Sequence, residues 1–222
     1  MAINKKIKSQ TTLWEAENIF YHQSNISRIG KLLYQYEIYK KIADLPGDIL
    51  EFGVFKGASL IRFLTYRSIL ENNFSRKIIG FDTFKKFPKQ KKTSDIKLVK
   101  DFTLDAGHPI SKENLNKILV RKKFENFELI EGNVENTLKK FIKKNDNTKI
   151  SLLHLDMDVY KSTKFVLNLL EKRMVKNGII LVDDYGTVEG ATTAVDEFLK
   201  KRSDLKLKKL SFYKVPSFII KT

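Results

Sequence analysis

Asp48-Ile49-Leu50-Glu51-Phe52-Gly53-Val54-Phe55-Lys56-Gly57 is the stretch from which the fold is read. A strand candidate, Ile49–Phe55, runs through a glycine turn into a helical pattern over about 58–72. Outward from it the same unit repeats. Strand candidates lie at Lys77–Phe84, Phe127–Gly132, Ile150–Met157 and Gly178–Tyr185, with helical patterns at about 134–144, 160–173 and 190–201. In the last of these, Ala191, Ala194, Val195 and Phe198 take the i, i+3, i+4, i+7 spacing of a buried face. Such alternation implies parallel strands joined by right-handed crossovers. Leu205–Ser211 and Ser217–Thr222, separated by a turn-like segment containing Pro216, predict a closing hairpin. The expected fold is a doubly wound α/β domain with a mostly parallel, seven-stranded sheet.

Upstream, Ile29, Leu32, Leu33, Tyr36, Tyr39 and Ile42 recur at helical spacing within 27–43, until Leu45-Pro46-Gly47 stops the helix. Residues 1–46 read as a helical N-terminal extension that could act as a lid, and 47–222 as the α/β domain. An irregular insertion at about 85–124 interrupts the repeat; it opens with Lys85, Lys86, Lys89, Lys91, Lys92, Lys97 and Lys100 and carries a helix candidate at 111–122. Length and a hydrophobic content of 42% suit one ordinary domain. The chain has no cysteine, which excludes disulfides, thiolate metal sites and cysteine nucleophiles and suits a reducing cytoplasm. No apolar run follows the first lysines, so no secretory signal is expected, and no stretch is long enough to span a membrane. The net charge of +16 attracts polyanions without choosing among them. Its lysines are scattered rather than interleaved with arginine and aromatics, which argues against nucleic acid and leaves an acidic small molecule or glycan open. A homo-oligomer is compatible with all of this.

Three strand ends form a candidate cofactor site. Glu51-x-Gly53-x-x-x-Gly57 lacks the dinucleotide spacing G-x-G-x-x-G and suits a nucleoside ligand without pyrophosphate. Glu51 would face a methionine ammonium or a bound water, with Gly53, Gly57 and Ser59 at the opening of the helix. A tight strand-to-helix turn explains the glycines equally well. Asp82, followed by Thr83, ends the second strand, where a doubly wound fold grips ribose hydroxyls; a loop-capping aspartate is the plainer alternative. Gly132 and Asn133 end the third strand, within reach of a purine.

The strongest signal is acidic. Leu155-Asp156-Met157-Asp158-Val159-Tyr160 and Val182-Asp183-Asp184-Tyr185 put four carboxylates at the C-terminal ends of strands expected to be neighbours. Unpaired, they would repel one another and bind protons. A hard dication such as magnesium resolves this economically, with Asp156, Asp183 and Asp184 as the candidate ligands. Helix caps explain any one of these acids but poorly explain all four. His154 reads as a core histidine and His108 as a loop residue; Trp14, Phe84 and Tyr34, Tyr36 and Tyr39 could line an acceptor pocket, though packing is their ordinary role.

With these residues in place, the chain resembles the macrocin O-methyltransferase family from Gly47 to about Leu199. The resemblance is carried by Asp48–Gly57, Gly80-Phe-Asp-Thr-Phe84, His154-Leu-Asp-Met-Asp-Val-Tyr160, Gly178-Ile-Ile-Leu-Val-Asp-Asp-Tyr-Gly186 and Ala194-Val-Asp-Glu-Phe198. It implies a class I methyltransferase fold and S-adenosyl-L-methionine as donor, with Asp156 also on the cofactor side. It further implies Mg2+ at Asp156, Asp183 and Asp184, a sugar hydroxyl as acceptor and Asp158 as proton acceptor. Lys85-Lys86-Phe87-Pro88 departs from the family pattern, which usually carries Glu-Gly before the proline. A catechol-type phenol acceptor and a non-catalytic cofactor-binding module are the remaining alternatives.

Overall fold

A computed structural model describes residues 11–85, 100–101 and 103–222. Two helices come first, α1 (Leu13–Gln23) and α2 (Ile26–Ile42). Thr12 opens α1 with a reciprocal cap: its Oγ1 accepts from the Glu15 amide at 3.2 Å while its own amide donates to Glu15 Oε2 at 2.7 Å. No residue of α1 is buried. α2 is different, burying Tyr34, Gln35, Ile38, Tyr39 and Ile42. The helix lies where the spacing predicts, but its inward stripe is turned from the anticipated set, and Leu33 faces solvent. The buried tyrosines explain the turn: Tyr34 and Tyr39 join one core cluster with Phe63 and Tyr66.

The remainder alternates as expected: β1 (Asp48–Phe52), α3 (Ala58–Leu70), β2 (Ile78–Asp82), α4 (Lys112–Arg121), β3 (Phe127–Glu131), α5 (Val134–Lys144), β4 (Ile150–Leu155), α6 (Tyr160–Leu170), β5 (Met174–Val182), α7 (Glu189–Lys200), β6 (Leu207–Lys208) and β7 (Ser217–Ile220). The strands form one seven-stranded sheet in the order β3-β2-β1-β4-β5-β7-β6. β1 to β5 are parallel; β7 runs antiparallel to β5 and to the short edge strand β6. Helices cover both faces, which is why β4 is buried along its whole length. One core cluster packs α2, α3 and α4 on the sheet, the other α5, α6 and α7. Among the described residues no helix is long and apolar enough to cross a membrane.

Two boundaries differ from the sequence expectation. β5 begins at Met174 rather than Gly178, with a register irregularity against β4 between Ile150 and Leu152. α6 ends at Leu170 and gives way to a 3-10 turn, Glu171–Arg173, whose Glu171 carboxylate binds Lys221 at 2.7 Å and also pairs with Arg202. The insertion's helix forms as α4, while Lys86, Lys89, Lys91, Lys92 and Lys97 lie outside the described residues. Its described end is tied to the first turn by the Ile110 amide, which donates to the Phe55 carbonyl at 3.1 Å.

Chain order reverses between β1, which leads outward to β2 and β3, and its other neighbour β4. Ligands of open α/β sheets bind at such a switch point, beyond the carboxyl ends of the strands. There the β1 and β4 loops touch. A Cβ on Gly53, whose φ is +93°, would lie 1.7 Å from the Asp156 carbonyl oxygen, so only glycine allows this approach.

Candidate active site

The C-terminal ends of β4 and β5 bring Asp156, Asp158, Asp183 and Asp184 together. Carboxylate oxygens of Asp156, Asp158 and Asp184 lie within 4.8 Å of one another, and Asp156 and Asp183 form a second such group with His154. Asp158 sits at φ +63°, a conformation that an aspartate adopts rarely and that marks many functional sites. Its carbonyl is crossed by the start of α7, where a Cβ on Gly190 would come within 3.0 Å. Tyr160 and Tyr185 point away from the acids and donate to Glu197 at 2.8 Å and Asp196 at 2.7 Å.

Two cations meet these acids from inside the protein. His154 is fully buried in β4, with Nδ1 3.4 Å from Glu51 Oε1 and Nε2 3.5 Å from Asp183 Oδ1. At those separations the contacts act through charge rather than as short hydrogen bonds. Burial opposes charge on the imidazole, yet Asp183 and Glu51 push its pKa up to about 10. Lys31 arrives from α2: its ammonium bonds Asp183 Oδ2 directly and lies 3.6 Å from Asp156 Oδ2. Burial alone would raise the Asp183 pKa, but Lys31 and His154 hold it down to about 2. Asp184 goes the other way. Burial, then its hydrogen bond to Asp158, push it up to about 9, so it stays protonated at neutral pH. Burial and the charges of Asp156 and Asp183 also raise Asp158, against the hydrogen bond from Asp184.

The spacing of Asp156, Asp158 and Asp184 suits a small hard cation, whereas Asp183 groups with Asp156 and His154 rather than with Asp184. Oxygens around an octahedral magnesium stand roughly 3 to 4.2 Å apart for Mg–O distances of about 2.1 Å, so a modest inward movement would close the acids on one. Asp183 Oδ1 is buried without a hydrogen bond, and His154 Nε2 faces it at 3.5 Å.

The cofactor candidates divide by what already holds them. Glu51 is fully buried; Ser59 Oγ donates to its Oε1, while its Oε2 has no donor. α3 begins at Gly57 (φ +81°) without a side-chain cap, so its first amides are open to a ligand. An orphaned carboxylate oxygen beside an uncapped helix start suits the ammonium and carboxylate of an amino acid. Asp82 is engaged: Oδ2 accepts from the Val54 and Phe55 amides at 2.7 and 2.8 Å, and Oδ1 from the Phe84 amide at 2.7 Å. Thr83 Oγ1 lies 3.3 Å from Asp82 Oδ1. Asp82 thus braces the glycine turn. Gly132 takes φ +135°, and Asn133 caps α5 by accepting from the Glu135 amide at 2.8 Å.

Of the aromatic candidates, Tyr34 and Tyr39 are core and Phe84 is nearly buried, whereas Trp14 is exposed on α1. His108 is exposed. Two basic residues near the acids were absent from the sequence reading. Lys31 is one; Arg62 on α3 is the other, half-buried and bonded to Gln35 Oε1 at 3.1 Å. A sign was available, because Lys31 and Gln35 stand on the stripe of α2 that continues through Ile38 and Ile42.

Comparison with known proteins bears on the family and the fold. The macrocin O-methyltransferase (TylF) family model matches residues 31–209. The 8-demethyl-8-(2,3-dimethoxy-alpha-L-rhamnosyl)-tetracenomycin-C 4'-O-methyltransferase of Streptomyces olivaceus is 26% identical over 168 residues, 74% of this chain and 62% of that protein. The demethyldecarbamoylnovobiocin O-methyltransferase of Streptomyces niveus is 26% identical over 169 residues, 71% of this chain and 60% of that protein. The chain thus matches under two thirds of either relative's length. Two structures of CalS11, described as a calicheamicin methyltransferase and a TDP-rhamnose 3'-O-methyltransferase, superpose with TM-scores of 0.72 and 0.69 at 24% and 25% identity. Both cover 96% of this chain, and 87% and 88% of theirs. With the family model spanning most of its length, and with the class I methyltransferase fold, the chain belongs to the macrocin O-methyltransferase family.

Proposed function

We infer that the protein is an S-adenosyl-L-methionine-dependent O-methyltransferase whose acceptor is a sugar hydroxyl of a glycosylated metabolite or glycan. The observation that carries this reading is the convergence of four aspartates at the ends of β4 and β5, beside the glycine turn that follows β1. S-adenosyl-L-methionine supplies an electrophilic methyl group, and Mg2+ held by Asp156, Asp183 and Asp184 would supply the positive charge that acidifies a neutral hydroxyl. Glu51 takes the methionine ammonium on its orphaned oxygen, with Ser59 keeping the carboxylate in place. The α3 amides take the methionine carboxylate. Asp82, besides bracing the glycine turn, and Thr83 would lie at the ribose, and Gly132 and Asn133 beside the purine. Asp158 would receive the hydroxyl proton on a carboxylate oxygen. The relatives named for a rhamnosyl tetracenomycin and a novobiocin precursor favour a glycosylated acceptor over a simple catechol. A chain without cysteine suits a cytoplasmic enzyme.

The test is transfer of labelled methyl from S-adenosyl-L-methionine to nucleotide sugars, glycosides and catechols, with the wild type and Asp158→Asn. Label should enter a glycosyl hydroxyl. The variant should lose about 10²–10⁴-fold in kcat while donor affinity stays within about twofold. Transfer to catechols alone, or full activity of Asp158→Asn, would overturn the respective part of the reading.

A further inference from the structure

Both oxygens of Asp183 are faced by a cation: Lys31 on Oδ2 and the His154 imidazole, 3.5 Å away, on Oδ1. A carboxylate so flanked can ligate a metal ion only if one neighbour yields. His154 is fixed, fully buried within the central strand β4. Lys31 is not: its side chain is 26% exposed and hangs on a flexible stem from a peripheral helix. The same ammonium also stands 3.6 Å from Asp156 Oδ2, so it lies between two of the three acids assigned to the ion.

We propose that Lys31 is a displaceable internal counter-ion of the acid site, occupying the dication's position until the ion enters and drives the ammonium out toward solvent. This rests on the acid cluster being the ion site. Without an ion, Lys31 offsets the repulsion between Asp156 and Asp183 that would otherwise splay the β4 and β5 loops. With an ion, a dication and an ammonium at the same two carboxylates repel each other across a few ångströms of partly buried space. Ion affinity is thereby set by a residue of the N-terminal helices, and ion loading loosens the hold of α2 on the sheet edge. An arrangement in which the ion sits on Asp156, Asp158 and Asp184 while Lys31 stays on Asp183 is the competing geometry.

Titration of the whole protein with Mn2+, followed by calorimetry and by the free-ion paramagnetic signal, separates the two. Lys31→Met should bind Mn2+ about tenfold or more tightly than wild type, because it loses the charge and keeps the stem. Lys31→Arg keeps the charge and should stay within about twofold of wild type, as should Lys40→Met, which removes an exposed charge from the same helix. Equal or weaker binding by Lys31→Met overturns displacement. If the wild type binds Mn2+ and Lys31→Met gains nothing, displacement alone falls; if neither binds, the ion reading falls with it. A second measurement needs no variant: acylation of Lys31 in the wild type, followed by mass spectrometry. Its rate should rise at least about fivefold on saturation with Mg2+, by loss of the ion pair, and an unchanged rate overturns the proposal even if Lys31→Met fails to fold.

Discussion

At the scale of single residues, the site is an exercise in charge compensation within a space that excludes most water. Asp184 is pushed up to about 9 by burial and by Asp158, from an ordinary value of 3.8. His154 is pushed up to about 10 from 6.5 against burial by Asp183 and Glu51. Both groups bind protons more tightly when folded, so their contribution is full at low pH and is lost as pH rises through the folded values. Asp183, held near 2 by Lys31 and His154, has the opposite sign and loses its contribution only in strong acid. In chelator, the thermal midpoint should therefore fall between pH 6 and pH 9, and Asp184→Asn should flatten that fall. Calorimetric scans across this range check it; parallel slopes for the two proteins would show that Asp184 is not the group holding the proton.

At the scale of elements, the active edge depends on loops that touch rather than on the strands alone. Gly53 and Gly186 both have positive φ, but only Gly53 would drive a Cβ into the Asp156 carbonyl, whereas a Cβ on Gly186 meets nothing within 4 Å. Gly186→Ala should cost about 1 kcal/mol, the backbone term alone. Gly53→Ala should cost at least about 2 kcal/mol more and weaken donor binding, because it pushes the β1 loop off the β4 loop. Urea unfolding of the pair gives the difference directly; equal losses would mean that the close approach is not maintained in solution. This contact also shows what sequence could supply. Strand–helix alternation made β1 to β5 and their helices legible, since each element carries its own periodicity. The acids were legible because they sit at strand ends, whose common edge follows from parallel topology. Lys31 and Asp183 are 152 residues apart, and no local pattern joins them. The Asp82 brace was likewise not legible, because it depends on where the fold brings the Val54, Phe55 and Phe84 amides.

At the scale of the molecule, the sheet order puts the glycine turn of β1 against the acid-bearing end of β4, and β5 completes the cluster from the far side. α2 then packs on α3 and sends Lys31 among the acids. The proposed donor site, ion site and base would thus be three parts of one sheet edge. The most direct measurement is methyl transfer by protein stripped with chelator and then reloaded with Mg2+, with bound ion counted per chain. Transfer should fall at least about 100-fold on stripping, as expected for loss of a metal that stabilises charge on a reacting oxygen. It should return as one ion binds. Transfer at an undiminished rate in chelator would contradict the account.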